Sequence, residues 1–130
     1  MSQKLGYLFS SLMAVYFLVS GLSVLLDVPA KLKRIDLQAL NSDGEISFIL
    51  IYSGLMVGIG VASLVIQLVS KSWVYSTVLA TTIIASFILF RAIGSIMVGF
   101  LSTVQISFLV FEIVELTAGI LLLRKAKFKT

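Results

Sequence analysis

Three ionisable residues of this chain lie inside long apolar segments, where charge is costly. Arg91 lies in one such segment, and Glu112 and Glu115 lie in the next. A charged side chain at the centre of a bilayer costs about 2.5–3.5 kcal/mol on insertion scales, so such residues usually face a protein interior and mark a functional site. One guanidinium and two carboxylates could bind an anionic group, exchange a proton or lock two helices together.

The depth of these residues predicts which of them meet. The link between the two segments centres near residue 101, so Arg91 is level with position 111 and its expected partner is Glu112. Glu115 shares that helix face one turn deeper. Two ionised carboxylates would leave the site net negative in a medium of low dielectric, so we expect Glu115 to hold a proton near neutral pH. The alternative is a purely structural ion pair between the two helices.

Polar side chains of two earlier segments match the depth of Arg91. Tyr16 and Tyr52 lie too deep to be interfacial anchors, and hydroxyls in hydrocarbon need partners. We therefore predict a ligand-binding site formed by four helices. Its residues are Arg91, Glu112, Glu115, Tyr52, Tyr16 and Ser20, with no catalytic and no metal-binding residue assigned.

The composition indicates the elements that position these residues. The chain has 130 residues, of which 59% are hydrophobic and 12% charged, whereas soluble domains are roughly 45–50% apolar and 25% charged. A bilayer core of about 30 Å needs about 20 apolar residues per helix, and short links make neighbouring helices antiparallel. The sequence predicts an all-α integral membrane protein with one domain over residues 1–130. We expect an antiparallel four-transmembrane-helix bundle with spans at about 5–26, 46–70, 73–98 and 104–123.

Residues 27–45 form the only sizeable loop of this predicted bundle. Asp27 is suited to cap a helix with Pro29 in its first turn, and Asn41 to Gly44 would end that helix. Leu32, Ile35 and Ala39 recur on one face. We predict a short amphipathic helix in the first extracytoplasmic loop, lying on the membrane surface. The alternative is an ordinary polar loop.

The basic residues predict the orientation. Cytoplasmic loops carry an excess of Lys and Arg, and one side of the predicted bundle has six such residues against Lys31, Lys33 and Arg34 on the other. We therefore expect a multi-pass protein of the bacterial cytoplasmic (inner) membrane with both termini cytoplasmic. The formal charge of +4 then serves topology and contact with membrane lipid, and we predict no nucleic-acid partner. The six residues are Lys4, Lys71, Arg124, Lys125, Lys127 and Lys129.

Two residue types are missing from the chain. It has no cysteine and no histidine. Disulfides, histidine-held haem, the usual zinc sites and nucleophiles paired with histidine are therefore excluded. We predict no cofactor.

Small residues form a ridge on the second predicted span. Gly54, Gly58, Gly60 and Ala62 would let another helix backbone approach closely. Packing against a helix of the same chain is favoured over packing in a homodimer, and both alternatives remain open.

Several motifs are shared with a known family. The chain has Tyr52-Ser53-Gly54-Leu55 before Gly58 and Gly60, Arg91 before Gly94 and Gly99, Asp27-Val28-Pro29, and Glu112 in the last span. In these it resembles a family of small bacterial four-span membrane proteins of unknown function, distantly DoxX-like. Members often carry a basic residue shortly before the tyrosine and a glycine where this chain has Ser53. The resemblance implies a four-helix fold and, by analogy, partnership with redox or quinone-linked systems.

Three functions are compatible with these features. The favoured one is a non-enzymatic binding or transport module for a small amphipathic or anionic ligand that meets Arg91 from the outer side. The second is a structural or accessory subunit of a membrane complex, held through the small-residue ridge. The third is a lipid-modifying membrane enzyme that uses Glu112 and Glu115 as acid and base.

Overall fold

The computed structural model describes residues 2–126, and no strand occurs among them. A π-helical stretch, here called the π segment (Ile49–Gly54), joins α3 to α4 without a break. The helices in chain order are α1 (Ser2–Val24), α2 (Val28–Arg34), α3 (Ser42–Phe48), α4 (Leu55–Ser70), α5 (Trp73–Val98) and α6 (Thr103–Lys125). Lys127 and Lys129, which contributed to the predicted orientation, lie outside the described residues.

Within residues 2–126, four helical stretches are long and apolar enough to cross a membrane. The all-helical fold and the number of long helices predicted from the sequence are therefore confirmed. The third predicted span, 73–98, coincides with α5, and the second begins earlier than predicted because Asn41 caps the helix at Ser42. The four stretches are Gln3–Val24, Ser42–Ser70, Trp73–Val98 and Thr103–Lys125.

Local capping explains where α5 and α6 begin and end. The Ser72 and Ser102 side chains accept hydrogen bonds from Val74 N and Gln105 N, which caps the two helix starts. Gly99 ends α5 with a φ of 72°, a left-handed conformation that glycine adopts without steric cost. The two helices are thus joined by a link too short to hold structure of its own.

The 27–45 loop contains a helix, α2, that ends earlier than the helix predicted there. Asp27 caps it as predicted, since its Oδ1 accepts from Ala30 N at 3.0 Å. It ends at Arg34, where Asp36 enters the left-handed region with a φ of 56°. Asn41 does not end this helix; its Oδ1 accepts from Gly44 N at 2.9 Å and caps α3 instead. The predicted length was therefore wrong, and the amphipathic character of the helix and its place on a membrane surface stay predictions.

The chain divides into two compact units. The first consists of the described parts of Met1–Ser10 and Ile66–Thr130, and in it α5 and α6 pack against each other. The second is Ser11–Val65. In the second unit α1 packs closely on the π segment and α4, because a Cβ at Gly21 would lie 2.8 Å from the Ser53 carbonyl oxygen. The prediction of a single domain stays a prediction.

The glycines of the predicted small-residue ridge differ in what they meet within the described chain. A Cβ at Gly54 or Gly58 would meet no described atom within 4 Å, whereas one at Gly60 would lie 2.9 Å from the Ala14 carbonyl oxygen. At about 100° per residue, Gly58 lies roughly 160° around the helix from Gly60. The contact face therefore includes Gly60 and leaves Gly54 and Gly58 open, and Ala62 is half-buried.

Candidate functional site

The Arg91 side chain of α5 forms a fork with the Glu112 carboxylate of α6. Arg91 Nε donates to Glu112 Oε2 at 3.1 Å, and Nη2 donates to Oε1 at 2.5 Å. Glu112 is buried, with 7% of its surface exposed. Such bidentate pairs are the strong, geometrically specific form of ion pair. The predicted contact between these two residues is present.

Two further residues of α6 complete the surroundings of this guanidinium. Arg91 Nη1 donates to Gln105 Oε1, and the Phe108 ring centroid lies 5.4 Å from Arg91 Cζ. Gln105 was not among the predicted site residues. It could have been identified from the 105, 108, 112 spacing, which places Gln105 on the same helix face as Phe108 and Glu112. The cation is therefore balanced by Glu112 and held in place by polar and aromatic neighbours.

Glu115 lies outside this ion pair. Its Oε2 is buried and makes no hydrogen bond to any described residue. Among residues 2–126 the ion pair at Arg91 is formed with Glu112 and does not include Glu115. The first unit thus holds a second acid beyond the one that is paired with Arg91.

A group of hydroxyls on α5 also lacks partners. Ser76 and Thr77 are fully buried, and the oxygens of Ser76, Thr77 and Thr81 make no hydrogen bond to a described residue. Thr81 Oγ1 lies directly against Gly119 of α6. Sequence analysis did not identify these three, because threonine and serine are common in membrane helices. They form what we call the hydroxyl row.

The remaining predicted site residues belong to the second unit. The Tyr52 ring stacks on Phe48 at a centroid distance of 5.3 Å, and the Tyr16 ring lies 5.4 Å from Phe17. The Ser20 carbonyl accepts a hydrogen bond from Ser23 Oγ at 2.9 Å. The convergence of these residues on Arg91 stays a prediction.

Tyr52 also lines an open cavity of about 650 Å³ in the second unit. Its walls come from the chain between α2 and α3 on one side and from α3 and the π segment on the other, and they are mostly apolar. A neighbouring cavity of about 490 Å³ shares Leu32 and Leu37 and adds the charges of Lys33, Asp36 and Glu45. We call the larger one the Tyr52 groove; its lining includes Leu32, Ile35, Leu37, Leu40, Phe48, Ile51 and Tyr52.

The Tyr52 groove was missed by sequence analysis. Its signal was the pair Leu37 and Leu40, which are apolar residues in a polar loop and are 55% and 95% exposed. π-Helical turns are rare and occur frequently at functional sites. The groove therefore combines an apolar wall with an unusual backbone element.

The described residues offer no obvious metal centre. No cluster of three or more His, Cys, Asp or Glu side chains occurs within residues 2–126. The two acidic side chains of the first unit differ, since Glu112 is engaged by Arg91 and Glu115 is not.

Comparison with protein-family models, with curated proteins and with solved structures finds no match for this chain. The resemblance to small DoxX-like membrane proteins therefore stays a prediction based on its motifs.

Proposed function

We propose that this chain is a multi-pass protein of the bacterial cytoplasmic membrane, inserted as an antiparallel bundle with both termini cytoplasmic and residues 27–45 outside. Four apolar helices of sufficient length support insertion. Two contacts between α5 and α6, Arg91 with Glu112 and Thr81 with Gly119, support the antiparallel hairpin, because their positions run in opposite directions along the chain. The distribution of Lys and Arg supports the orientation.

We propose further that the protein is a non-enzymatic binding or transport module for a small amphipathic ligand. The observation that carries this proposal is the Tyr52 groove. Its volume of about 650 Å³ lies within the roughly 300–1,000 Å³ of ligand pockets, which are apolar with a few polar groups. The adjoining charges of Lys33, Asp36 and Glu45 suit the polar end of such a ligand.

The ion pair bears on where the ligand binds. A lone guanidinium would attract an anion, but Glu112 already balances the Arg91 charge and occupies two of its donors. Binding of a second anion at Arg91 is therefore less favourable. We therefore assign the ligand to the Tyr52 groove. An amphipathic ligand in this groove is better supported than an anionic ligand at Arg91.

The groove is tested by filling it. The full chain and an Ala39→Trp variant would be purified in the same mild detergent, and bound small amphiphiles would be identified and counted by mass spectrometry. Ala39 lines the groove, so we expect this variant to lose most of the bound amphiphile. Leu26→Trp is the matched control, because Leu26 is 87% exposed and lies outside the lining. Equal amphiphile content in both variants and the native chain would exclude the groove.

A second function, a structural subunit of a membrane complex, is favoured by different observations. The fork between Arg91 and Glu112 suits a lock between helices, and Gly54 and Gly58 present a face that meets no described atom within 4 Å. Such small-residue faces are typical of helix association in membranes. The two functions differ in their sites, so Gly58→Leu should impair assembly without affecting amphiphile content.

A further inference from the structure

The hydroxyl row differs from four other hydroxyls of the same helices. Ser86 and Ser95 of α5 donate to the carbonyl of the residue one turn earlier, at 3.0 and 2.7 Å, and Ser107 and Thr117 of α6 do the same at 3.0 and 2.8 Å. This is the usual way in which a hydroxyl is satisfied in an apolar helix. Ser76, Thr77 and Thr81 are buried or half-buried, and their hydroxyls have no hydrogen-bond partner among the described residues.

The free carboxylate oxygen shares an interface with this row. Thr81 Oγ1 lies against Gly119, and Glu115 is one turn from Gly119 on the same face of α6. Thr77 is one turn from Thr81 on α5, with Ser76 beside it. Thr81 thus lies at the packed interface of α5 and α6, with Glu115 one turn away along α6 and Thr77 one turn away along α5.

Unpaired polar groups in a dry interior are costly, and native proteins usually satisfy them with internal water. Internal waters typically make about three hydrogen bonds each to otherwise unsatisfied groups. The hydroxyls and the Glu115 carboxylate supply donors and acceptors of this kind at successive turns. Water at these positions would join them into one hydrogen-bonded chain.

We propose that internal waters along Ser76, Thr77 and Thr81 carry protons between Glu115 and the end of the unit at the 71–72 link. A hydronium in the chain transfers its proton to Glu115 Oε2 and remains as water, and the reverse transfer releases the proton. The proposal rests on the membrane placement in the proposed function and is independent of the Tyr52 groove. The chain would thereby move protons as well as bind a ligand.

The surrounding groups define the two ends of the path. Towards Gln105, Arg91 and Glu112 are bound to each other and close the interface. At the other end, Tyr7 donates to the Lys71 carbonyl at 2.6 Å, and Ser10 donates to Gln67 Oε1 at 2.6 Å. The charged groups on this side of Glu115 are Glu112, three residues away on the same helix face, and Arg91 of α5, which is bound to Glu112.

Infrared difference spectroscopy of the full chain in liposomes tests the proposal. The carboxylic acid band would be followed as the pH is stepped from mildly acidic to mildly alkaline, and Glu115→Gln would assign the part that belongs to Glu115. The rate of hydrogen–deuterium exchange of that band is then measured in Thr77→Val and Thr81→Val. We expect both variants to slow the exchange several-fold. Ser86→Ala is the matched control, because Ser86 is exposed and its hydroxyl donates to the Thr82 carbonyl of its own helix. This variant should exchange at the native rate.

Each outcome decides the matter. The proton path would be overturned if the Glu115→Gln variant lost no titrating band. It would also be overturned if both valine variants exchanged at the native rate. A raised melting temperature in the valine variants with unchanged exchange would mean that the hydroxyls are packed dry. A band that shifts when sodium chloride replaces choline chloride at fixed pH would assign the site to a cation instead. Loss of bound amphiphile in Ala39→Trp is independent of all these results, so the two proposals fail separately.

Discussion

Arg91 is held by charge, by a neutral amide and by an aromatic ring, all supplied by one face of α6. Each contact fixes a different part of the guanidinium, and Glu112 alone removes its net charge. A buried pair of this kind is costly to form but far more costly to break on one side. Its two partners should therefore respond differently to substitution.

Arg91→Ala should destabilise the protein by about 3–5 kcal/mol, because it leaves the Glu112 carboxylate buried without a partner. Glu112→Gln should cost less, about 1–3 kcal/mol, since a glutamine still accepts hydrogen bonds from the guanidinium. Thermal unfolding in detergent gives the comparison. Arg124→Ala, at the end of α6 outside the pair, serves as the control, and a glutamine variant that is less stable than the alanine variant would contradict the account.

Individual residues were predictable from the sequence to different degrees. The contact between Arg91 and Glu112 followed from counting residues back from a short link, because helix rise is constant. Gln105 was missed because one polar residue near a helix start looks ordinary. The free hydroxyls of Thr77 and Thr81 could not be predicted from the sequence. A threonine hydroxyl in a helix usually donates to the backbone carbonyl one turn earlier, and only the structure shows which hydroxyls do not.

At the scale of elements, α4 has two faces with glycines of opposite roles. Gly60 lies on the face packed against α1, and Gly58 lies on the open face. Both glycines looked alike in the sequence because the ridge was identified by spacing alone. The angular distance between them around the helix separates their functions.

Gly60→Leu should lower the melting temperature, because the new side chain would meet the Ala14 backbone oxygen and Leu18 Cγ. Backbone cannot move aside cheaply, so overpacking of this kind costs about 1–3 kcal/mol or more. Gly58→Leu is the matched control and should leave the melting temperature of the single chain unchanged. Thermal unfolding and size-exclusion chromatography measure the two effects, and an equal loss of stability in both variants would show that the faces are misassigned.

The loop between α1 and α3 marks the limit of sequence analysis for elements. Asp27 as a helix cap was predictable, because its side chain and the following proline are a strong start signal. The end of α2 was not, because Asn41 can either end one helix or begin the next. The choice depends on the chain that follows it.

For the molecule as a whole, the topology is open to a direct test, because the native chain has no cysteine. Single cysteines at Ser2 and Ser42 would be treated with a membrane-impermeant thiol reagent from outside intact cells. We expect labelling at position 42 and none at position 2, since the side rich in Lys and Arg stays in the cytoplasm. Detergent-opened cells control for reactivity at both positions, and the reverse pattern would contradict the orientation.

The four long helices were the most predictable feature of the molecule. Hydropathy over about 20 residues identifies them because unpaired backbone is not tolerated in lipid, which leaves helices as the simplest solution. The site was less predictable, because it depends on which faces of these helices meet. The open Gly54 and Gly58 and the Tyr52 groove both result from that choice.

The backbone hydrogen bonds of the π segment join residues five apart, whereas those of an α-helix join residues four apart. Its consequence is rotational: if Ile49–Gly54 relaxed to α-helical geometry, everything before it would turn by about 100° relative to α4. Phe48 lies before the π segment and would turn with that part of the chain, away from the groove wall, whereas α4 would keep its place. The register of the helix therefore determines the orientation of the groove wall. We expect deletion of Ile51 to produce the α-helical arrangement.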